Sequence, residues 1–525
     1  MVNTGLLVLT NPKRIGKLLP IIKQHVLKTL YIQYFPEKNI LVSSSYSVSP
    51  KLTGPCYSRI IANIYAFATN HSNSLDVRVL LSNLKSSNGS ITHTKRPVEL
   101  VIFDRICSNS DANTFMQNCL SNTSMGCKYL TFDEKELETE YDETSAESNS
   151  EDKLYKNVVL GGTFDRLHNG HKIFLSEAIL RCTDSLTVGV TDINMIKKKM
   201  LWELIESCSQ RIASLKDFTE DVDPSLKYNL VPIIDMYGPT KDDPNFEMIV
   251  VSEETKKGGE MINEKRKENH LNSLDIYVVK LVEDANHTEH EETKISSSNN
   301  RIRLLGTRLK TPNLDGKAIL PYIIGLTGGI ASGKSSVANK LQNLGAGLIN
   351  CDLLAHSLYA PGMKCNTLIK ETFGPQFINP DGQVNRKELG NLVFHNEAEL
   401  KKLNNIMWPA ILEETKYQIN KLYKEGFEIV VIEAAVLIQA GWQPHCHEIW
   451  TCIVPQEEAV NRLMERNKFS EEEAKKRILV QPNNVEQVKN AHVVFATLWS
   501  HEITQQQIQK AWNEILKDLK KYLKS

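Results

Sequence analysis

Apolar and polar positions along the first part of the chain alternate in a pattern of short strand-like runs separated by helical ones. The runs Gly5 to Thr10, Thr29 to Phe35, Val77 to Leu81, Val98 to Phe103 and Tyr129 to Phe132 read as strands, and YSRIIANIYAF between them has helical spacing. That alternation predicts an α/β layer over residues 1–132. The stretch DEKELETEYDETSAESNSED, 133–152, is acidic, serine-rich and almost free of large apolar side chains. It cannot bury enough surface to offset its ordering entropy, so it reads as a linker. Beyond it, Asn157 to Leu160 reads as a strand, Gly161-Gly162 as a turn, and Ile173, Phe174, Ala178 and Leu180 as one face of a helix starting near Gly170. A second break falls at KTPNLDGKAILP, where proline and glycine separate two α/β patterns. Near the end, Ile508, Trp512, Ile515 and Leu519 recur at helical spacing over 503–523 and predict a packing face. No internal repeat with a period of roughly 20 to 50 residues stands out.

At 525 residues the chain exceeds the size at which one core stops growing, so two to four domains are expected. Its 62 basic and 63 acidic side chains nearly cancel. That balance argues against non-specific nucleic-acid binding and makes any phosphate recognition local. The ten cysteines form no CxxC pair, which suits reduced thiols in a cytosol-like compartment. His445-Cys446-His447 with Cys452 offers zinc-binding atoms, but at a spacing that fits no familiar site. No apolar run approaches the ~18 residues a membrane span needs. Before Glu37 there is no acidic residue, while Lys13, Arg14, Lys17, Lys23 and Lys28 accompany Ile15, Leu18, Leu19, Ile22 and Val26. This segment reads either as a mitochondrial address or peripheral membrane anchor, or as a first strand followed by an ordinary amphipathic helix, which is the preferred reading.

Two short stretches carry candidate chemistry. In GGTFDRLHNGH, 161–171, His171 falls at a helix start, where free N–H groups and the positive dipole end suit an anion and an imidazole adds a directed donor. In GLTGGIASGKSS, Gly328-x-x-x-x-Gly333-Lys334-Ser335 follows an apolar strand and precedes a helix, the context a phosphate-binding P-loop requires. Gly328, Gly329, Ile330, Ala331, Ser332, Gly333 and Ser336 would bring main-chain N–H groups to the phosphates of ATP. Lys334 would reach the β/γ oxygens and Ser335 would ligate Mg2+.

GTFDRLHNGH closely resembles the signature of the nucleotidylyltransferase superfamily, and its wording is similar to phosphopantetheine adenylyltransferase of the archaeal and eukaryotic type. The resemblance continues through VGVTD (188–192), YGPT (237–240), VSEET (251–255) with Asn263 and Arg266, and ISSSNNRIR (295–303), and covers about 153–308. It implies adenylyl transfer from ATP to 4′-phosphopantetheine. The implied ATP site comprises Gly161, Gly162, Thr163, Phe164, His168, Gly170, His171, Ser296, Ser297, Ser298 and Arg301. In it His171 stabilises the transferred phosphate, His168 holds the nucleotide phosphates, and Ser296 to Ser298 with Arg301 cradle the pyrophosphate. Thr163 and a lysine, Lys199 somewhat ahead of Lys197, orient the acceptor phosphate.

From Ile323 onward the chain resembles dephospho-CoA kinase. LINCDLLAHSLYAPG (348–362) is similar to that family's acceptor segment, DGQVNRKELGNLVF (381–394) to its substrate-contact segment and RLMERNKFSEEEAKKRILVQ (462–481) to its lid. The resemblance implies that Asp352 accepts the proton of a ribose 3′-hydroxyl, though Asp352 also reads as an N-cap for the helix from Leu353. It implies further that Arg386 and Arg477 contact dephospho-CoA and that Arg466 closes over ATP. Asn350 stands where the family has an acid, Trp408-Pro409 where it has His-Pro, and Glu433 is a weak candidate for magnesium through water.

The expected architecture is therefore α/β: an N-terminal α/β region (1–132), an acidic linker (133–152), a Rossmann-like nucleotidylyltransferase domain (153–310) and a P-loop kinase domain with a helical lid (321–525). Together the halves resemble the animal bifunctional coenzyme A synthase family. The implied substrates are ATP, 4′-phosphopantetheine and dephospho-CoA, with Mg2+ and no nucleic acid, in the cytoplasm with mitochondrial association as an open alternative. A P-loop kinase of another metabolite joined to an unrelated transferase, and a nucleotide-binding scaffold, remain alternatives at this point.

Overall fold

The computed structural model describes residues 1–35, 57–71, 75–85, 91–133 and 153–523, so the predicted linker lies almost entirely outside the described residues. The chain divides into two compact units, Met1–Asn300 and Arg301–Ser525.

The first unit contains two five-stranded sheets. In one, β1 (Val2–Leu9), β2 (Val26–Tyr34), β3 (Asp76–Val79), β4 (Val98–Phe103) and β5 (Thr123–Thr131) lie in the order β3-β2-β1-β4-β5. In the other, β6 (Tyr155–Gly162), β7 (Cys182–Thr191), β8 (Lys227–Ile233), β9 (Met248–Ser252) and β10 (Asp275–Val279) lie in the order β10-β9-β6-β7-β8. Every pairing in both is parallel. The first strand is central in each sheet, with the second and third on one flank and the fourth and fifth on the other. The two sheets thus share one topology, and in each the chain switches direction beside the central strand, where open α/β sheets form a ligand crevice.

The two sheets also share a core. Leu7, Ile32 and Val79 of the first belong to the same apolar cluster as Leu160, Ile173 and Leu215 of the second. Between them the helix Ser58–His71 packs against the helix Asn169–Arg181. The basic N-terminal helix, Ile15–Ile22, buries Ile15, Leu18, Leu19 and Ile22 in this cluster, while Lys17 and Lys23 face solvent. Its apolar face is already occupied by the protein, as an ordinary amphipathic helix requires. No helix of the described residues is long and apolar enough to cross a membrane.

In the second unit β11 (Tyr322–Gly328), β12 (Gly347–Asn350), β13 (Ile429–Glu433), β14 (Glu448–Ile453) and β15 (Val493–Ala496) form a parallel sheet in the order β12-β13-β11-β14-β15. The last helix, His501–Tyr522, buries Ile508, Trp512, Ile515 and Leu519 beneath this sheet with Val337 and Leu341, as its spacing predicts. Residues 301–310, read from sequence with the preceding domain, pack in this unit. The Arg308 guanidinium lies 2.6 Å from Glu448 and 3.3 Å from Glu514 and also pairs with Asp518. The Pro/Gly stretch 310–321 marks the approach to β11 instead of the division between units.

Two histidines stitch this sheet. The Ile323 N–H donates to His447 Nδ1 (2.8 Å), whose Nε2 meets the Ala318 carbonyl (3.0 Å), and the Ile449 N–H donates to His492 Nδ1 (3.0 Å). Both nitrogens of His447 are thus engaged. Cys446 and Cys452 are buried, with thiols pushed up to about 12, burial being the main cause. Among the described residues no metal-binding group of His, Cys, Asp or Glu is assembled, so the zinc arrangement considered above does not form.

Burial pulls both imidazoles below their ordinary pKa. The unfolded chain therefore takes up protons more readily as pH falls, and the stability these groups contribute is complete above about 6.5 and is lost below it. Amide exchange at Ile323 and Ile449, corrected for intrinsic rates, should accelerate between about pH 7.5 and about pH 5.5 more than at neighbouring strand amides. Equal acceleration throughout the sheet would count against this account.

Candidate active sites

The first site grows from the end of β6. Gly161 and Gly162, expected to form a turn, are instead its last residues, paired with Gly189 and Val190 of β7. A Cβ on Gly162 would lie 3.0 Å from the Phe164 ring, so the ring folds back easily only over glycine. The turn follows, with Phe164 and Arg166 at φ +52° and +45°. Left-handed backbone costs about 1 kcal/mol or more per residue, so the loop needs external support. Arg211, 1 % exposed, supplies it by donating to the carbonyls of Thr163 (2.6 Å) and Thr191 (2.8 Å). The buried Asp165 accepts the Glu206 N–H (3.1 Å), and Arg166 donates to the Leu204 carbonyl (2.7 Å).

His168 caps the helix Asn169–Arg181. Its Nδ1 accepts the His171 N–H (3.3 Å), and His171 Nδ1 accepts the His168 N–H (3.5 Å). This capping box is built from two imidazoles, and it stacks the rings with centroids 3.7 Å apart and planes 20° from parallel. Gly170 is required for it, since a Cβ there would lie 3.1 Å from His168 Nδ1. With both Nδ1 atoms accepting, each ring carries its proton on Nε2. His168 Nε2 then reaches Ser297 Oγ (3.3 Å), which donates onward to the Asp165 carbonyl (3.2 Å). Two imidazole N–H donors at a helix N-terminus, in the crevice beside the central strand, have the chemistry an anion would call for.

The other expected residues divide. The Thr191 hydroxyl donates to Thr163 Oγ1 (3.1 Å), which fixes that side chain beside β7. Lys197 and Lys199 are exposed beyond the short helix Ile193–Ile196 that follows β7. Ser296 is buried, and its hydroxyl accepts the Asn299 N–H (3.1 Å), so it acts as a cap, whereas Ser297 bonds an imidazole. Ser298 is half-buried and Arg301 is 1 % exposed on the same helix, Ser297–Leu304. Asn263 and Arg266 serve the frame: Asn263 exchanges hydrogen bonds with the main chain of Leu274, and the buried Arg266 donates to the carbonyls of Thr240, Asp243 and Asn272.

The second site follows β11. Gly328 has φ +144°, and a Cβ there would come within 2.4 Å of the Cys452 carbonyl. Gly333 has φ +81° and opens the helix Lys334–Asn343. Lys334 Nζ donates to the carbonyls of Gly328 (2.9 Å) and Gly329 (3.1 Å). Burial holds its pKa down against the opposing carboxylates of Asp352 and Glu433, while Arg466 adds to the depression. These four groups thus share one electrostatic neighbourhood.

Ser335 Oγ donates to Glu433 Oε1 (2.7 Å), and Asn350 Nδ2 donates to Glu433 Oε2 (2.8 Å). Glu433, a weak candidate from sequence, is therefore in direct contact with the P-loop serine. A hydroxyl in the first turn of the helix and a carboxylate at the end of β13 are hard oxygen donors of the kind magnesium takes. Asn350 also caps the helix Cys351–Leu358 by accepting the Leu353 N–H (3.0 Å), so the N-cap reading of Asp352 is replaced. Asp352 instead lines a groove of about 410 Å³ with His356, Tyr359, Arg386 and Leu403, where Arg386 Nη2 lies 2.8 Å from His356 Nε2.

The lid helices, Gln456–Asn467 and Glu471–Leu479, pack through Val460, Leu463 and Ala474 against Ile330 and Ala331 of the loop. Arg466 is exposed and bonded to Asn467, while Arg477 rests on the Phe469 ring at 4.4 Å. Three residues that the motifs do not single out also hold the loop. Gln481 Oε1 accepts the Ile330 N–H (2.6 Å), Thr497 Oγ1 donates to the Ser332 carbonyl (2.9 Å), and Arg462 reaches the Ala331 carbonyl (3.2 Å) and Thr497. Only the position of Gln481 at the end of the lid segment hinted at its contact.

Residues 322–498 match the family Dephospho-CoA kinase and residues 159–303 the family Cytidylyltransferase-like. A dephospho-CoA kinase of Carboxydothermus hydrogenoformans is 42 % identical over 36 % of this chain and 92 % of its own length. One from Bacillus cereus is 38 % identical over 37 % of this chain and 100 % of its own length, and one from Geobacter sulfurreducens is 36 % identical over 36 % and 96 %.

Gly328→Ala tests the P-loop geometry directly, because the strained φ and the Cys452 carbonyl both oppose a side chain. ATP binding to this loop should weaken by about tenfold or more in a titration with a fluorescent nucleotide, as the cost of such strain implies. Unchanged affinity would mean that the loop relaxes freely.

Proposed function

The chain belongs to the dephospho-CoA kinase family, and from that premise we infer that it performs the last two steps of coenzyme A synthesis, its first unit forming dephospho-CoA and its second phosphorylating it. The observation that carries the reading is Asp352. Relieved of capping by Asn350, it lines the groove with Arg386 and lies within electrostatic reach of Lys334. A proton acceptor, an acceptor groove and a phosphate cradle are thus combined.

The two steps require different groups. In the first, the phosphate of 4′-phosphopantetheine attacks the α-phosphate of ATP and pyrophosphate leaves. A phosphate monoester has its second pKa near ~6 and is already a nucleophile, so the site has to position and neutralise charge and needs no base. The stacked imidazoles suit that work. His171 donates to the transferred phosphate and His168 to the nucleotide phosphates. Thr163, with Lys199 or Lys197, orients the incoming phosphate, while Ser297 and Ser298 receive the pyrophosphate. The match to a cytidylyltransferase-like family supports nucleotidyl transfer, and the acceptor is our proposal.

In the second step a ribose 3′-hydroxyl attacks the γ-phosphate of ATP and loses its proton, for which Asp352 is the acceptor. Lys334 turns from the loop carbonyls to the phosphates, Arg386 holds the acceptor, and Arg466 with Arg477 closes from the lid. Ser335 and Glu433 are the residues that would hold a magnesium ion, which neutralises charge on the ATP phosphates when bound.

Purified full-length protein given 4′-phosphopantetheine, ATP and magnesium should release pyrophosphate and produce CoA. His171→Ala should lower formation of dephospho-CoA by about 10²-fold or more and leave phosphorylation of added dephospho-CoA intact, with Lys334→Ala doing the reverse. Product other than CoA, or loss of both activities in either folded variant, would refute two separate sites.

A further inference from the structure

The described residues of 1–133 have the topology of the nucleotidyl-transfer sheet, and among them its open crevice has no counterpart. At the corresponding position, beside the central strand β1, the fully buried carboxylate of Asp104 accepts the N–H of Thr10 (2.8 Å), the N–H of Asn11 (2.9 Å) and the Thr10 hydroxyl (2.8 Å). Arg14 donates to the Asp104 carbonyl (2.8 Å) and lies 3.8 Å from its carboxylate. The main-chain donors that would face a phosphate are held by the protein's own anion. This sheet is not arranged as a second nucleotide site.

What it does touch is the helix that begins at His168. That helix is buried on nearly every side, from Lys172 to Arg181 with only Phe174 half-buried, as a helix between two layers must be. Asn169 Nδ2 donates to Thr69 Oγ1 (3.0 Å), and Lys172 Nζ donates to Asp76 Oδ1 (2.7 Å) and the Val77 carbonyl (2.8 Å). Asn169 and Lys172 are the residues just after His168 and just after His171. Each imidazole is therefore adjacent in sequence to a side chain anchored on the first sheet or its helix.

We propose that residues 1–133 form a positioning frame for nucleotidyl transfer, in which Thr69 and Asp76 set the placement of His168 and His171 through Asn169 and Lys172. The pairs are specific in their chemistry. The Thr69 hydroxyl gives its proton to the Tyr65 carbonyl (2.9 Å), so only a lone pair remains for Asn169. Lys172 is 4 % exposed, and a buried ammonium is costly unless paired, so an apolar side chain would serve cohesion at least as well. Burial works to raise the Asp76 carboxyl, but Lys172 and Arg78 outweigh it and keep the group low and charged. Arg78 in turn ties Asp76 (2.8 Å) to Asp217 (2.6 Å) and Asp221 (2.7 Å), so the frame is anchored at a second point on the transfer domain. Lys172 and Asp76 fix the helix along its axis, and Thr69 fixes its first turn.

This inference rests on His171 serving adenylyl transfer, and the experiment separates the two claims. Full-length wild type, Thr69→Val, Thr69→Ser and Asp76→Asn are assayed for dephospho-CoA formation from 4′-phosphopantetheine and ATP, with phosphorylation of added dephospho-CoA measured in the same preparations. Thr69→Val keeps the shape and removes the acceptor, whereas Thr69→Ser keeps the acceptor. Thr69→Val and Asp76→Asn should lower kcat of the first reaction by about tenfold with KM changed by less than about twofold, as misplacement of a group acting in the transition state implies. Thr69→Ser should retain the wild-type kcat, and the second reaction should be unchanged in all variants. A lower unfolding temperature with unchanged kcat, equal loss in Thr69→Val and Thr69→Ser, or parallel loss of both reactions would overturn the frame. Wild type that makes no dephospho-CoA would overturn the transfer reading itself, and the frame with it.

Discussion

A parallel strand that ends between diverging neighbours leaves main-chain N–H groups without partners, and each of the three sheets must satisfy them at the same place. The first does so with the Asp104 carboxylate, which takes the N–H groups of Thr10 and Asn11. In the second, His168 Nδ1 takes the N–H of His171, so the cap is itself a donor on its other nitrogen. In the third, Gln481 takes the Ile330 N–H while Lys334 folds onto the glycine carbonyls. One constraint thus yields a closed crevice, an imidazole-lined turn and a P-loop. The difference lies in how readily each cap gives way. A buried carboxylate holding three hydrogen-bond donors is not displaced by phosphate, whereas a half-buried amide oxygen at the end of the lid segment can be.

The remaining structure serves those turns. Phe164, Arg166 and Ala331 take left-handed backbone where a loop turns sharply after a central strand, and each of these loops is held by an arginine reaching main-chain carbonyls: Arg211 at Thr163 and Arg462 at Ala331. Arginine suits this role because its fork meets two carbonyls at once and keeps its charge when buried. Neither arginine needs to touch a ligand to matter. Each ties the turn to a second segment, Arg211 through the Thr191 carbonyl and Arg462 through that of Thr497.

Much of this was legible in the residues themselves, since glycines, imidazoles and the Lys-Ser pair act over a few positions. All five strand-like runs of residues 1–132 are strands, and the helix 501–522 buries the four side chains its spacing selected. What escaped notice depends on contacts made across long stretches of chain. Asn350 and Asp352 differ as caps only because one of them meets the Leu353 N–H, and Gly161 and Gly162 extend a strand because β7 lies alongside. Nothing local marks Asn169 and Lys172, because their partners Thr69 and Asp76 lie about a hundred positions away. The common topology of the first two sheets leaves no trace in residue identity, as strand order is a property of connections.

The joint apolar cluster of the first unit bears on how the chain is made. Leu81 N–H bonds the Val222 carbonyl and Lys85 pairs with Asp223, so the flank of the first sheet is completed by a helix that begins at Cys208. During synthesis, at about 5–20 residues per second, the amino-terminal sheet leaves the ribosome several seconds before that helix exists. Until then Val77, Val79 and Leu81 face water or a chaperone. A stop in translation anywhere before Val222 would release a fragment whose apolar face lacks this cover.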